Sequence, residues 1–285
     1  GVSFRWGNEY RGRAGALRAD LTTDSFVLSG DVRVVREQEG SLPFELTARR
    51  VLFERSSGTL HAEGEAKLRQ GQNVLHAGRL AAQIGPETQQ LEFVRARFGV
   101  YGRVVEAAEQ ADVFRYQASE ATLLLVNGLP TSLELEGSEK EPARLTTRSA
   151  DGVRVLFAPY LVAKLEDSQI RTLDALRGAR LEDRPSEEGA PTRRASARRV
   201  EVSFEHGQVR SASLQKDVVL LEDQRTLSAD TASLDVATGR ADFLGDPAIA
   251  TTERGELRAP KIAYNRQSGL LQASGVAAVI IAGDL

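Results

Sequence analysis

One short pattern returns along this chain at nearly constant spacing, and that recurrence constrains the fold more than anything else in it. It runs apolar residue, any residue, Ala, two variable residues, apolar residue, any residue, apolar residue, and a Gly turn usually follows. Leu46-Thr47-Ala48-Arg49-Arg50-Val51-Leu52-Phe53 with Gly58 is one copy. Leu227 to Leu234 with Gly239 and Leu257 to Tyr264 with Gly269 are two more. Tyr116 to Leu123, Ala195 to Val202 and Leu75 to Ala82 repeat it, and Leu145-Thr146-Thr147 opens a weaker copy. Ala48 to Ala77 spans 29 residues, Ala118 to Thr147 again 29, Ala197 to Ala229 32 and Ala229 to Ala259 30. Such a period belongs to stacked arrays whose units cannot bury their apolar faces alone.

Within a unit the apolar period is two. Leu60, Ala62, Gly64, Ala66 and Leu68 alternate with polar residues, and Leu271, Ala273, Gly275, Ala277, Val279 and Ile281 form a second such series. Strict alternation marks a strand with one wet face and one buried face. Turn residues divide the strands at Ser56-Ser57-Gly58, Asn127-Gly128, Ala237-Thr238-Gly239 and Gln267-Ser268-Gly269. Each unit reads as two antiparallel strands of about six to nine residues. Two segments, Val104 to Ala111 and Thr172 to Gly178, admit a short helix, but their strand-like flanks favour strand. The expected fold class is all-β: an elongated β-jellyroll of two facing antiparallel sheets, in repeated hairpin units of about 30 residues, of single or double length. Small residues at the fixed Ala and Gly positions suit a tight bend or narrow seam. Two halves are expected, 1–137 and 138–285, with a candidate boundary near Gly137 to Pro142. The charged stretch Glu182 to Arg194 reads as a long solvated hairpin loop, with a domain linker as the alternative.

The chain has no Cys, which removes disulfides, thiolate catalysis and Cys-based metal sites. Net charge is −3, so charge gives no support for polyanion binding, and no nucleic-acid partner is expected. No run approaches the length of a membrane-spanning helix. The chain begins at Gly1 and holds no Met, so a removed leader or anchor is expected. There is no phosphate loop, nucleophile elbow or zinc-protease motif, and no file of acids recurs at the repeat period. His61 and His76 fall on the outward phase and His206 beside a turn Gly. The expectation is a non-enzyme with no cofactor and no metal.

The repeats resemble the OstA-like family of β-jellyrolls, the LptA/LptC-type periplasmic bridge proteins of lipopolysaccharide transport. Phe26 to Val34 is similar to the family strand entered through G-x-V, here Gly30-Asp31-Val32. Leu227 to Leu234 and Leu257 to Tyr264 are similar to its L-x-A strand, and Phe243 to Ile249 to its G-x-P turn. The resemblance implies a periplasmic protein that holds lipopolysaccharide, or a related lipid, by its acyl chains in an apolar groove. It also implies joining to like jellyrolls through edge strands, between complexes of the inner and outer membranes.

On that reading the alternation places Val32, Val34, Leu46, Phe53, Leu60, Leu68, Leu75, Leu220, Leu227, Leu234, Ile249, Leu257, Ile262, Tyr264 and Val279 inward, as groove lining or as packed core. The densest basic cluster, Arg193, Arg194, Arg198 and Arg199, is either a solvated strand face or a contact for head-group phosphates. A structural β-solenoid with a filled interior and no lipid is the alternative function.

Overall fold

A computed structural model describes residues 1–285 except 7–9, 37–42, 86, 89, 106–112, 150–151, 168, 206–207, 267, 276 and 282–285. Strands are its regular structure, and no helix occurs among the described residues. The chain forms two compact units: Gly1–Gly137 with Leu165–Ser168, and Ser138–Lys164 with Gln169–Leu285. Unit 1 holds β1 (Val2–Trp6), β2 (Tyr10–Ala14), β3 (Ala16–Asp20), β4 (Ser25–Arg36), β5 (Phe44–Glu54), β6 (Thr59–Gln70), β7 (Asn73–Ile84), β8 (Leu91–Val105), β9 (Val113–Val126) and β10 (Leu129–Glu136). Then follow β11 (Ala143–Ser149), β12 (Gly152–Ala158), β13 (Tyr160–Glu166), β14 (Gln169–Pro185), β15 (Arg193–Glu205), β16 (Gln208–Glu222), β17 (Arg225–Asp235), β18 (Arg240–Thr252), β19 (Gly255–Asn265), β20 (Leu271–Ser274) and β21 (Ala278–Ile281).

Each strand pairs antiparallel with the next from β4 through β9, and again from β14 through β19. These strands run 11 to 17 residues, longer than the alternation predicts. The reason is a crease. Every one of these pairings shifts register near its middle, for example between Thr47 and Arg50 on β5 and between Gln215 and Val218 on β16, and β7–β8 and β15–β16 shift again near an end. On β5 the buried side chains are Leu46, Ala48, Val51 and Phe53, so the inward series steps by three at the crease instead of two. On β16 it steps by four, from Leu214 to Val218. The extra residue is a bulge. β4, β6, β8, β14 and β16 each carry two adjacent residues of positive φ there: Gly30 and Asp31, Gly64 and Glu65, Phe98 and Gly99, Arg177 and Gly178, Lys216 and Asp217. A bulge bends its strand while preserving which side chains face inward beyond it. Gly64 thus belongs to the bend and not to the inward series that sequence alternation assigned it; its φ is +79° and a Cβ there would lie 2.8 Å from the Arg49 Cβ.

The repeat's Ala sits at the last position before the crease. Ala48, Ala77, Ala197 and Ala259 are all buried there. The template's two variable residues are the bend itself. Bent in this way, each of these long strands contributes to two half-sheets that face each other, and each unit is a β-jellyroll-like sandwich with its core between them. At the edges the bent strand comes in two pieces. β2 and β3 both pair with β4, and β20 and β21 both pair with β19. The C-terminal alternating series is thus two short strands interrupted at Gly275, whose φ is +95°.

Thr172 to Gly178 lies within β14, while Val104 and Val105 end β8 and 106–111 fall outside the described residues. The solvated loop proposed for Glu182 to Arg194 is shorter, because β14 continues to Pro185 and β15 starts at Arg193. Glu182 and Asp183 stand opposite Arg194 and Arg193 in register, so these charges belong to the ladder.

Candidate functional site: an apolar interior with a charged lip

Each unit encloses a cavity between its half-sheets. In unit 1 it measures about 60 Å³. Leu68, Leu75 and Tyr116 line it from one half-sheet, and Leu91, Leu123 and Leu133 from the other. The Tyr116 hydroxyl donates to the Val74 carbonyl at 3.1 Å, and burial pushes its phenol well above the usual range. In unit 2 the cavity measures about 80 Å³ and is walled by Leu181, Val218 and Leu220 on one side and Leu214, Leu234 and Phe243 on the other. An apolar cavity of about 150 Å³ holds one benzene. Both interiors are therefore largely filled by their own side chains.

Among the residues read as inward, Leu68 and Leu75 line the first cavity and Leu220 and Leu234 the second. Val32, Leu46, Phe53, Leu227, Ile262 and Tyr264 are buried in the cores. Val34, Leu60 and Leu257 are half-buried on the inward phase, whereas Ile249 is not inward: it stands between buried Ala248 and Ala250 and takes the outer face, because the bend at 245–247 resets the phase of β18. Val279, on the outermost strand β21, is 68% exposed. No strand packs beyond it among the described residues, so its inward phase leaves it in water.

The structure separates the four arginines. Arg198 sits on the outer side of the crease, paired with Asp217 at 2.8 Å. Arg199 binds Asp174 at 2.6 Å and Glu201 at 3.1 Å on the outer face. Arg193 and Arg194 adjoin the unit 2 cavity, Arg193 on the inward phase and Arg194 opposite Leu221 on the outward one. There Arg193 belongs to a register line that crosses five strands. Arg154 on β12 stands opposite Asp183 on β14, Asp183 opposite Arg193 on β15, Arg193 opposite Glu222 on β16, and Glu222 opposite Arg225 on β17. The charges alternate along this line, the arrangement that stabilises cross-strand neighbours.

From the facing half-sheet come Tyr264 and Arg266. The Tyr264 hydroxyl donates to Glu222 at 2.5 Å, Arg193 also donates to Glu222, and Arg266 lies 3.6 Å from Asp183. These contacts form a polar clasp across the open side of the unit 2 sandwich. Burial alone raises the Glu222 carboxyl, but the hydrogen bonds from Tyr264 and Arg193, with the charge of Arg266, outweigh it and hold it below the usual range. Burial, then the neighbouring Arg193 charge, makes the Arg266 guanidinium easier to deprotonate than an ordinary arginine. Burial and the adjacent Glu222 carboxylate raise the Tyr264 phenol.

The sequence reading passed over Asp183, Glu222 and Arg266. The available signal was Glu222, a charge standing in the inward series after Leu214, Val218 and Leu220. His61 is exposed, and His76 stacks on Tyr101 with ring centroids 4.5 Å apart, while His206 lies outside the described residues. No cluster of metal-ligating side chains occurs among the described residues, and no helix there is long and apolar enough to cross a membrane.

Fold and site together define a class: a creased β-jellyroll with an apolar interior and a charged lip. No family model matches the chain, and no curated protein does. One solved structure it resembles is the crystal structure of LptH, the LptA homologous periplasmic component of the conserved lipopolysaccharide transport device from Pseudomonas aeruginosa. That match has 14% identity and a TM-score of 0.30, over 60% of this chain and 95% of the other. At that level it carries no argument about function.

Proposed function

We propose that this protein is a periplasmic lipid carrier. It takes acyl chains of lipopolysaccharide or a related glycolipid between its half-sheets and passes them from inner to outer membrane, end to end with like jellyrolls. It acts by binding and not by catalysis. The observation that carries this reading is the unit 2 cavity, apolar within and ringed at its mouth by Arg193, Arg266, Asp183 and Glu222. Burying methylenes gains about 0.8 kcal/mol each while a polar head stays wet at the rim. Because the cavity is small, loading requires the half-sheets to part at the clasp. The sequence resemblance to the OstA-like family supplies the nature of the cargo.

The test is photo-crosslinking to lipopolysaccharide from a benzophenone amino acid at Leu234, which lines the cavity. The control position is Leu221, 42% exposed on the opposite phase of β16 from Leu220. Crosslinks at Leu234 and not at Leu221 are expected. The filled interior favours the second reading, a structural β-solenoid, and absence of crosslinks at Leu234, Leu68 and Ile262 in folded protein would establish it.

A further inference from the structure

Three guanidiniums converge on one carboxylate at the lip of unit 2. Arg154 lies 3.5 Å from Asp183 Oδ1, Arg193 lies 3.5 Å from Oδ2, and Arg266 lies 3.6 Å from Oδ2. A well-made pair of this kind closes to about 2.7–2.9 Å. Asp183 therefore holds all three loosely, with its two oxygens shared among them. Along this lip Arg154, Arg193 and Arg266 face only Asp183 and Glu222, so positive charge is in excess. All five are sheltered, with side-chain exposures from 9% at Glu222 to 33% at Arg154, so the excess is poorly screened by water.

We propose that this lip is an oxyanion site for a phosphate monoester. Three oxygens on one phosphorus can meet the three guanidiniums that two carboxylate oxygens share. The ligand competes with Asp183 for them. If the lipid-carrier reading holds, on which this step rests for its source, the phosphate is a head group whose tail enters the cavity past Leu220 and Leu234. The shared chemistry is a phosphate monoester, and free phosphate is the other source.

The test uses the full chain and three probes: dihexanoyl phosphatidic acid, dihexanoyl phosphatidylcholine and inorganic phosphate, with affinities from calorimetry. Arg266→Gln and Arg154→Gln are expected to weaken phosphatidic acid binding about tenfold each. Asp183→Asn removes the competitor and is expected to tighten it by a similar factor, an effect a purely structural role does not produce. Phosphatidic acid binding alone identifies a head-group site. Equal binding of inorganic phosphate, with the same response to the variants, identifies a free-phosphate site. The proposal is overturned if neither phosphate probe binds, if phosphatidylcholine binds as well as phosphatidic acid, or if Asp183→Asn weakens binding as the arginine variants do. Crosslinking at Leu234 in the same samples keeps the two ideas apart. Crosslinks without phosphate dependence retain the groove and remove the oxyanion site, while phosphate binding without crosslinks does the reverse.

Discussion

Single substitutions cost this fold most where they open a cavity in the core. Ile262 is 0% exposed, and Ile262→Ala is expected to cost about 2–5 kcal/mol, read as a fall in the urea midpoint without a change of slope. Glu222 gives a pH signature. Its folded-state pKa is depressed, so its contribution is complete above the ordinary glutamate value of about 4.3 and is lost as pH falls through the lower, folded value. The difference in thermal midpoint between wild type and Glu222→Gln is therefore expected to be largest near neutrality and to vanish in acid. A constant difference across that range would remove the clasp from the stability account. Buried positions such as Leu46, Leu227 and Ile262 were legible from alternation, because period two leaves them one face. Asp183 and Arg266 were not, since a charge's partner across a sandwich depends on register and bend, which no local pattern encodes. Arg193 was singled out for charge density, and its role follows instead from standing between Asp183 and Glu222.

At the level of the strand, the crease decides everything downstream of it. Lys216 and Asp217 both have positive φ, and they separate Leu214 from Val218 in the inward series. Deleting Lys216 alone shifts the phase beyond it by one, turning Val218, Leu220 and Glu222 outward. Loss of cooperative unfolding in unit 2 is expected, visible as a missing transition in calorimetry. Replacing Arg49, whose pair with Glu65 is 71% and 81% exposed, is expected to change stability by less than about 1 kcal/mol. Crease and repeat were visible together in the sequence, as the two variable residues after each Ala. Period-two alternation runs straight across the crease, as in the series Leu60 to Leu68, so it does not mark the bend, and the strands of 11 to 17 residues exceed the six to nine it predicts. Two of the motifs that carried the family resemblance fall on these bends, Gly30-Asp31-Val32 on β4 and Gly245-Asp246-Pro247 on β18.

For the whole molecule the consequential feature is the edge formed by β20 and β21. β20 and β21 present Val279 at 68% and Ile280 at 54% exposure beyond β19, an edge of the kind that pairs with another chain. Ile280→Lys is expected to lower concentration-dependent self-association in sedimentation while leaving the thermal midpoint within a degree or two. Unchanged association would place any joint elsewhere. The jellyroll class was readable from the repeat, whereas the exposure of Val279 was not, because alternation specifies a side and says nothing of whether a neighbour covers it.

The crease has a genealogical consequence. Because each bend is made by residues within its own hairpin, a duplicated hairpin arrives with its fold line already in place and needs no adjustment from its neighbours. Such a protein can lengthen or shorten in quanta of about thirty residues, the spacing of its repeated Ala, while the cross-section seen by anything held inside stays the same.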